Sequence, residues 1–371
     1  RGAVRQSAKA TGVGLRNLAG TGRQQGLERT PETLDEMGSQ LDGLAATDPT
    51  ADKAREAVQK MLKDLGDSKA ANADALKQAV ARKLNLFMDC ITTGCGSDDL
   101  LDSTFRAACV PPARLAYPSP TFSMVEAFGR MNGLEPRPVP WELAEEDPAR
   151  LLEEDPAIIY LCRPNNPTGA HLDREWVLAL LQAGGPGGPV VVLDEAYADF
   201  APDNLLKEAV ESHRMLVLRT LSKLYGLAGL RVAFAVGAPG LIAEVEKSRG
   251  PYKVSQVAER AAIAALRDAS GWAEKIVQET VENRARLADE LRKRGLRPLP
   301  SEANFLLVPV SPASATRLND ALKDRGVAIR PYPDLPDLGD CIRITIGPWE
   351  MIEWFLVALD DLISPQSGRD V

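Results

Sequence analysis

The chain has 371 residues, with 44 Lys/Arg against 52 Asp/Glu, a formal net charge of −8 and 44% hydrophobic residues. That length exceeds one ordinary core and predicts two domains, and the acidic balance argues against broad nucleic-acid affinity. No apolar run nears the roughly 20 residues of a membrane span, and five scattered cysteines with only two histidines and no Cys-x-x-Cys argue against a zinc site or a histidine-based hydrolase.

In chain order, residues 1–30 hold six Lys/Arg and one acid, interrupted by glycines, and predict a loosely packed leader. Ile91-Thr92-Thr93-Gly94-Cys95-Gly96-Ser97-Asp98 reads as a strand, a glycine loop and a helix start. Free N–H groups at such a start suit an anion. Pro120-Thr121-Phe122-Ser123 follows, with Phe122 placed to stack on a planar ring. Three continuous apolar runs come next: Ile158–Cys162, Val190–Leu193 and Leu216–Thr220. Without alternation they predict strands buried on both faces of a parallel sheet. Helical patterns over 173–183 and 205–212 lie between them. Strand and helix alternate from about 91 to 236, as in a doubly wound layer. One long helical region is expected over 256–295, then a smaller α+β part over 296–363 and a frayed tail over 364–371. The expected organisation is an arm at 1–60, a large domain at 61–249, and a linking helix with a small domain at 250–371.

The three runs end in polar loops at the same edge, where ligands of open α/β sheets bind. They are Arg163-Pro164-Asn165-Asn166-Pro167-Thr168-Gly169, Asp194-Glu195-Ala196-Tyr197, and Ser222-Lys223-Leu224-Tyr225-Gly226-Leu227-Ala228-Gly229-Leu230-Arg231. A lysine there can hold an aldehyde as an imine, while Ser222 and Arg231 hold a phosphate. Pyridoxal phosphate (PLP) needs both. Asp194 is the candidate to keep the cofactor's ring nitrogen protonated, so that the ring can accept electron density from a substrate carbanion. Asn166 and Tyr197 are candidates for the ring's phenolic oxygen.

With these motifs together, the chain resembles fold-type I PLP-dependent aminotransferases, and most of all the histidinol-phosphate aminotransferase family. Asn304-Phe305-Leu306-Leu307-Val308, Arg330 and Cys341-Ile342-Arg343-Ile344-Thr345-Ile346-Gly347 agree with it. The resemblance implies an α/β fold with a mostly parallel central sheet flanked by helices, plus a smaller α+β domain. It implies that Lys223 carries the cofactor and shuttles the Cα proton, and that Asp194 pairs with the ring nitrogen. Asn166 and Tyr197 would contact the phenolic oxygen, and Phe122 would stack on the ring. Ser97, Asp98, Ser222 and Arg231 would hold the phosphate. Arg343 would grip a carboxylate, as a planar guanidinium can, and Arg330 a phosphate or second acidic group.

The implied reaction transfers the amine of L-histidinol phosphate to 2-oxoglutarate, in a cytoplasmic homodimer without nucleic-acid or membrane partners. The motifs also admit an aromatic amino-acid aminotransferase, a phospho-amino-acid decarboxylase of the same fold, or a non-catalytic PLP-fold regulator. The chain departs from the family in four places. Ala46-Thr47-Asp48-Pro49-Thr50 stands for an Asn-Glu-Asn-Pro-type segment, and 67–74 lacks the family tyrosine. Lys253 stands for an asparagine in Pro251-Tyr252-Lys253-Val254, and Arg163 for a small or amide residue.

Overall fold

Ten strands and eleven helices organise the described residues, 73–108 and 110–363, of this computed structural model. The leader at 1–30, the 46–50 segment, all of 67–74 but Ala73 and Asp74, and the 364–371 tail lie outside the described residues. The strands are β1 (Ile91–Gly94), β2 (Ala113–Ser119), β3 (Leu134–Pro140), β4 (Ile158–Cys162), β5 (Val190–Asp194), β6 (Met215–Thr220), β7 (Ala233–Val236), β8 (Phe305–Pro309), β9 (Arg330–Leu335) and β10 (Gly339–Thr345). The helices are α1 (Asp74–Leu84), α2 (Ser97–Ala108), α3 (Met124–Met131), α4 (Trp141–Glu146), α5 (Arg174–Gly184), α6 (Leu206–Glu211), α7 (Pro239–Ser248), α8 (Gln256–Arg267), α9 (Trp272–Lys293), α10 (Ala315–Lys323) and α11 (Trp349–Ile363). All lie within one unit, Ala70–Val371.

β1 to β7 form one sheet in the order β1-β7-β6-β5-β4-β2-β3. β2 to β6 pair in parallel, and β7 alone runs against its two neighbours. The apolar runs make this sheet because each strand has two faces to bury. Ile159, Leu161, Val191, Leu193 and Val217 point into one core, with Leu76 and Val177. Ile158, Tyr160, Val192, Leu216 and Leu218 point into the other, with Leu101 and Phe105. The alternation is the two-residue period of a strand, with helices covering both sides.

The expected single helix over 256–295 is two. α8 ends at Arg267 and α9 begins at Trp272. Gly271 sits at φ 75°, and Ser270 donates through its backbone N–H and its hydroxyl to Asp268 Oδ2. A short polar side chain that captures the backbone, followed by a left-handed glycine, ends one helix and starts another. α9 then runs to the smaller antiparallel sheet, β8-β10-β9, and packs with α10 and α11 on a separate apolar core.

Several contacts join the two sheets, among them the Glu302 N–H donating to Gly169 O at 2.9 Å and Arg284 Nη1 donating to Phe200 O at 3.5 Å. Arg284 on α9 is buried, donates to Ala303 O at 2.9 Å, and pairs with Glu302 at 2.5 Å. The ring of Phe305 meets Tyr197 edge-on at 5.0 Å. β8 is thereby held against the loop after β5, where the chemistry is concentrated.

Ile159, with no exposed surface in the middle of the large sheet, tests the packing. Ile159→Ala should lower unfolding stability by about 2–5 kcal/mol, through lost transfer energy and the cavity left behind. A shift in the midpoint of denaturant unfolding measures it.

Candidate active site

The carboxyl ends of β4, β5 and β6 stand in register, with Cys162 opposite Asp194 and Asp194 opposite Leu218. A cavity of about 140 Å³ opens beyond them, lined by Ser97, Asp98, Phe122, Asn166, Asp194, Tyr197, Ser222, Lys223 and Arg231, with Cys162, Ala196 and Thr220. Every residue expected to touch the cofactor lies on this one wall. A larger cavity, about 590 Å³, opens where β2 to β5 begin, beside Ala113, Glu135, Ala157 and Val190. It lies at the opposite edge from the strand ends that hold ligands in open α/β sheets.

Asp194 is buried at the end of β5, and its Oδ1 accepts the Ala196 N–H at 3.0 Å. Its Oδ2 accepts the Tyr160 hydroxyl at 2.9 Å. Burial raises the carboxyl's pKa, and the Tyr160 and Ala196 hydrogen bonds oppose that rise. A cation brought to the carboxylate would favour the charged form further. Nothing in the residue order marks Tyr160, which reads there as one more apolar strand residue. Only the strand's period, which aims position 160 to the same side as 158 and 162, could have pointed to it.

Lys223 is open to the cavity, and its Nζ lies 5.0 Å from the Tyr197 ring centroid. Desolvation by the surrounding walls lowers its pKa, the Arg343 charge lowers it further, and Asp194 opposes both. A lysine with less affinity for its proton spends more of its time neutral, the form that can act as nucleophile or accept a proton. Burial raises the pKa of Tyr197, against the pull of Arg343, so its hydroxyl remains a donor at neutral pH.

The Asn166 loop is braced by its neighbour. Asn165 Nδ2 donates to Pro120 O at 3.0 Å and Thr168 Oγ1 at 2.8 Å, while Thr121 donates to Asn165 Oδ1 at 2.7 Å. This bracing also fixes the Phe122 segment. Asn166 Oδ1 accepts from Arg343 Nη1 at 2.5 Å. The Arg343 guanidinium carbon lies 4.8 Å from the Phe305 ring centroid and 5.8 Å from that of Tyr332. Arg343 therefore joins the site across from β10. Arg330 is its cross-strand partner on β9 and is exposed, at the rim rather than on the cavity wall. Tyr332 also reaches the site, and nothing in its sequence neighbourhood singled it out.

On the other side, the α2 start is shaped by Gly96 at φ 83°. A Cβ there would lie 2.5 Å from Arg231 Nη2. Arg231 pairs with Asp98 Oδ2 at 2.9 Å. The Ser222 hydroxyl is buried without a hydrogen-bond partner. An unpaired buried hydroxyl, a cationic side chain and a helix N-terminus at one cavity are the donor set of a phosphate. With Lys223 and Asp194 on the same wall, the residues present fit PLP.

Arg163 is fully buried behind this wall. Its Nε donates to Leu172 O at 2.6 Å, Nη2 to Asp203 at 2.7 Å, and Nη1 lies 3.6 Å from Glu195. Glu195 also faces Arg219 at 3.4 Å. Arg163 thus sits in a paired, buried layer beneath the site, where a lone charge would be costly.

Geometry and sequence agree on the class. The profile of the aminotransferase class I and II family matches residues 39–359, and the chain belongs to that family of PLP-dependent enzymes. Within it the chain falls among the histidinol-phosphate aminotransferases. The one from Methylibium petroleiphilum is 38% identical, covering 78% of this chain and 80% of the relative. That from Microcystis aeruginosa is 33% identical, covering 78% and 81%. The crystal structure of histidinol-phosphate aminotransferase from Sinorhizobium meliloti, in complex with pyridoxal-5'-phosphate, superposes with a TM-score of 0.76 at 29% identity, over 83% of this chain and 85% of that one.

Arg343 lowers the pKa of Lys223, so Arg343→Met should raise it. The pH at which half of Lys223 reacts with an amine-modifying reagent, followed at that residue by mass spectrometry, should move upward. Gly96→Ala should weaken PLP binding at least tenfold in a spectroscopic titration, since neither the left-handed φ nor the space beside Arg231 accommodates a Cβ.

Proposed function

We propose that this aminotransferase moves the amino group of L-histidinol phosphate to 2-oxoglutarate, giving imidazole-acetol phosphate and L-glutamate. One observation carries the reading: Lys223, Asp194 and Asn166 line one cavity, and Arg343 is hydrogen-bonded to Asn166 at its edge. The names of the relatives supply the donor.

PLP bound there supplies an aldehyde carbon for the amine and a protonated ring that draws electron density from the substrate Cα. The Asp194 carboxylate would hold the proton on the ring nitrogen, and the Tyr160 hydroxyl fixes that carboxylate's direction. Asn166 and Tyr197 would donate to the phenolic oxygen, and Phe122 would cover the ring face. Ser97, Asp98, Ser222 and Arg231 anchor the phosphate. Lys223 Nζ would take the substrate's Cα proton, a role that its lowered pKa favours. Arg343 holds the carboxylate of the oxo acid, and Arg330 at the rim takes the donor's phosphate or a second acidic group.

We infer that the chain works as a homodimer in the cytoplasm. Exposed Phe87 and Tyr252 support a further protein surface against this one. The free thiols of Cys90, Cys95, Cys162 and Cys341 suit a reducing compartment. Among the described residues no helix is long and apolar enough to cross a membrane.

Turnover is tested by glutamate formation from L-histidinol phosphate and 2-oxoglutarate, beside phenylalanine, tyrosine and phosphothreonine as donors. The expected result is a kcat/KM for histidinol phosphate at least tenfold above the others. Lys223→Ala should lower kcat by more than a thousandfold, consistent with losing both the covalent attachment and the base. Retained turnover in that variant, or preference for another donor, overturns the assignment.

A further inference from the structure

The start of α2 poses an electrostatic problem for a phosphate site. Its first turn carries two acids, Asp98 and Asp99. Carboxylates there suit the helix dipole, but they repel the anion that the same N–H groups would bind. Asp98 is paired with Arg231. Asp99 is paired with Lys253, whose Nζ lies 2.5 Å from Asp99 Oδ1 and 3.0 Å from Ser103 Oγ. Both members of the Lys253–Asp99 pair are 18% exposed, so solvent screens them less than a surface pair.

Asp99 also shapes the loop. Its Oδ2 accepts the Cys95 N–H at 3.0 Å, and Cys95 stands between the two glycines that lead into Ser97. Lys253 comes from the stretch between α7 and α8, far away in sequence, and fastens it to α2. This is the position where the chain carries lysine in place of the family's asparagine. An asparagine could hydrogen-bond Asp99 but could not cancel its charge.

We propose that Lys253 is a positioning residue for the cofactor phosphate. It neutralises Asp99 and, through Asp99, holds the Cys95–Ser97 loop so that the first N–H groups of α2 face the cavity. The inference rests on reading that cavity as the PLP site. It explains the lysine as a second cation that balances a second acid, alongside the Arg231–Asp98 pair.

The test uses the full-length apoprotein and two ligands, PLP and pyridoxal, which lacks the phosphate. Binding is followed by absorbance. Lys253→Met should weaken PLP binding roughly fivefold to tenfold, the scale of a partly buried charge near an anion. Pyridoxal binding should change less than twofold. Lys253→Arg should retain PLP affinity. Adding Asp99→Asn to Lys253→Met should restore most of the lost affinity, because the charge to be cancelled is gone. A contact that merely packs would not be rescued by deleting its partner. The melting temperature of each apoprotein separates folding from binding.

Equal loss for PLP and pyridoxal, or no rescue by Asp99→Asn, overturns the proposal while leaving the site reading intact. No PLP binding by the unsubstituted chain overturns the site reading and the proposal together.

Discussion

The hydrogen-bonded register of three parallel strands is the constraint from which the rest follows. Cys162, Asp194 and Leu218 stand side by side at the ends of β4, β5 and β6. The chain must leave all three strands at the same level, so three loops start at one edge. A slip of two residues in any ladder would carry a loop about 7 Å along the strand, and a slip of one would turn its side chains to the other face. Asn166, Tyr197 and Lys223 share a cavity because the apolar runs behind them cannot slide without exposing the core. The buried Arg163–Glu195–Arg219 layer adds a second lock directly beneath the loops.

On that frame the site is a balance of few charges. Lys223 is pushed toward its neutral form by desolvation and Arg343, and Asp194 pulls the other way. Asp194 is itself disfavoured as an anion by burial, and two hydrogen bonds offset that. The phosphate end repeats the pattern with Asp98–Arg231 and Asp99–Lys253. At that end Asp98 and Asp99 each have a cationic partner that offsets their repulsion of an anionic ligand. The aromatic contacts connect the halves: Lys223 over Tyr197, Tyr197 against Phe305, and Arg343 over Phe305. A single side chain from the small sheet, Phe305, therefore touches both the wall that carries the cofactor residues and the arginine that faces the acidic partner.

Much of this was legible in residue order. Continuous β-branched runs can be buried only on two faces, so the central strands could be read within a residue or two. Gly-Cys-Gly followed by Ser-Asp announced α2, because a left-handed turn and a helix start draw on few residue types. The helix break at 268–271 was missed, because the apolar pattern continues on both sides and only the backbone capture by Asp268 interrupts it. The roles of Tyr160 and Asn165 are hidden in residue order because they depend on partners 34 and 45 residues away in the chain, and that of Tyr332 because it depends on Arg343 of the adjacent strand reaching the site.

By itself the sequence determined the strand set, the loops that follow them, and the residue types suited to an imine, a phosphate and a carboxylate. These are local: they depend on periodicity, turn chemistry and the functional groups present. Tertiary structure alone decided that Arg343 reaches Asn166, that Arg330 stays at the rim, that Tyr160 orients Asp194, and that Lys253 and Arg163 are paired rather than stray. Those outcomes join elements distant in sequence. They are set by which buried charges and donors can be satisfied only by one another once the two sheets have packed together.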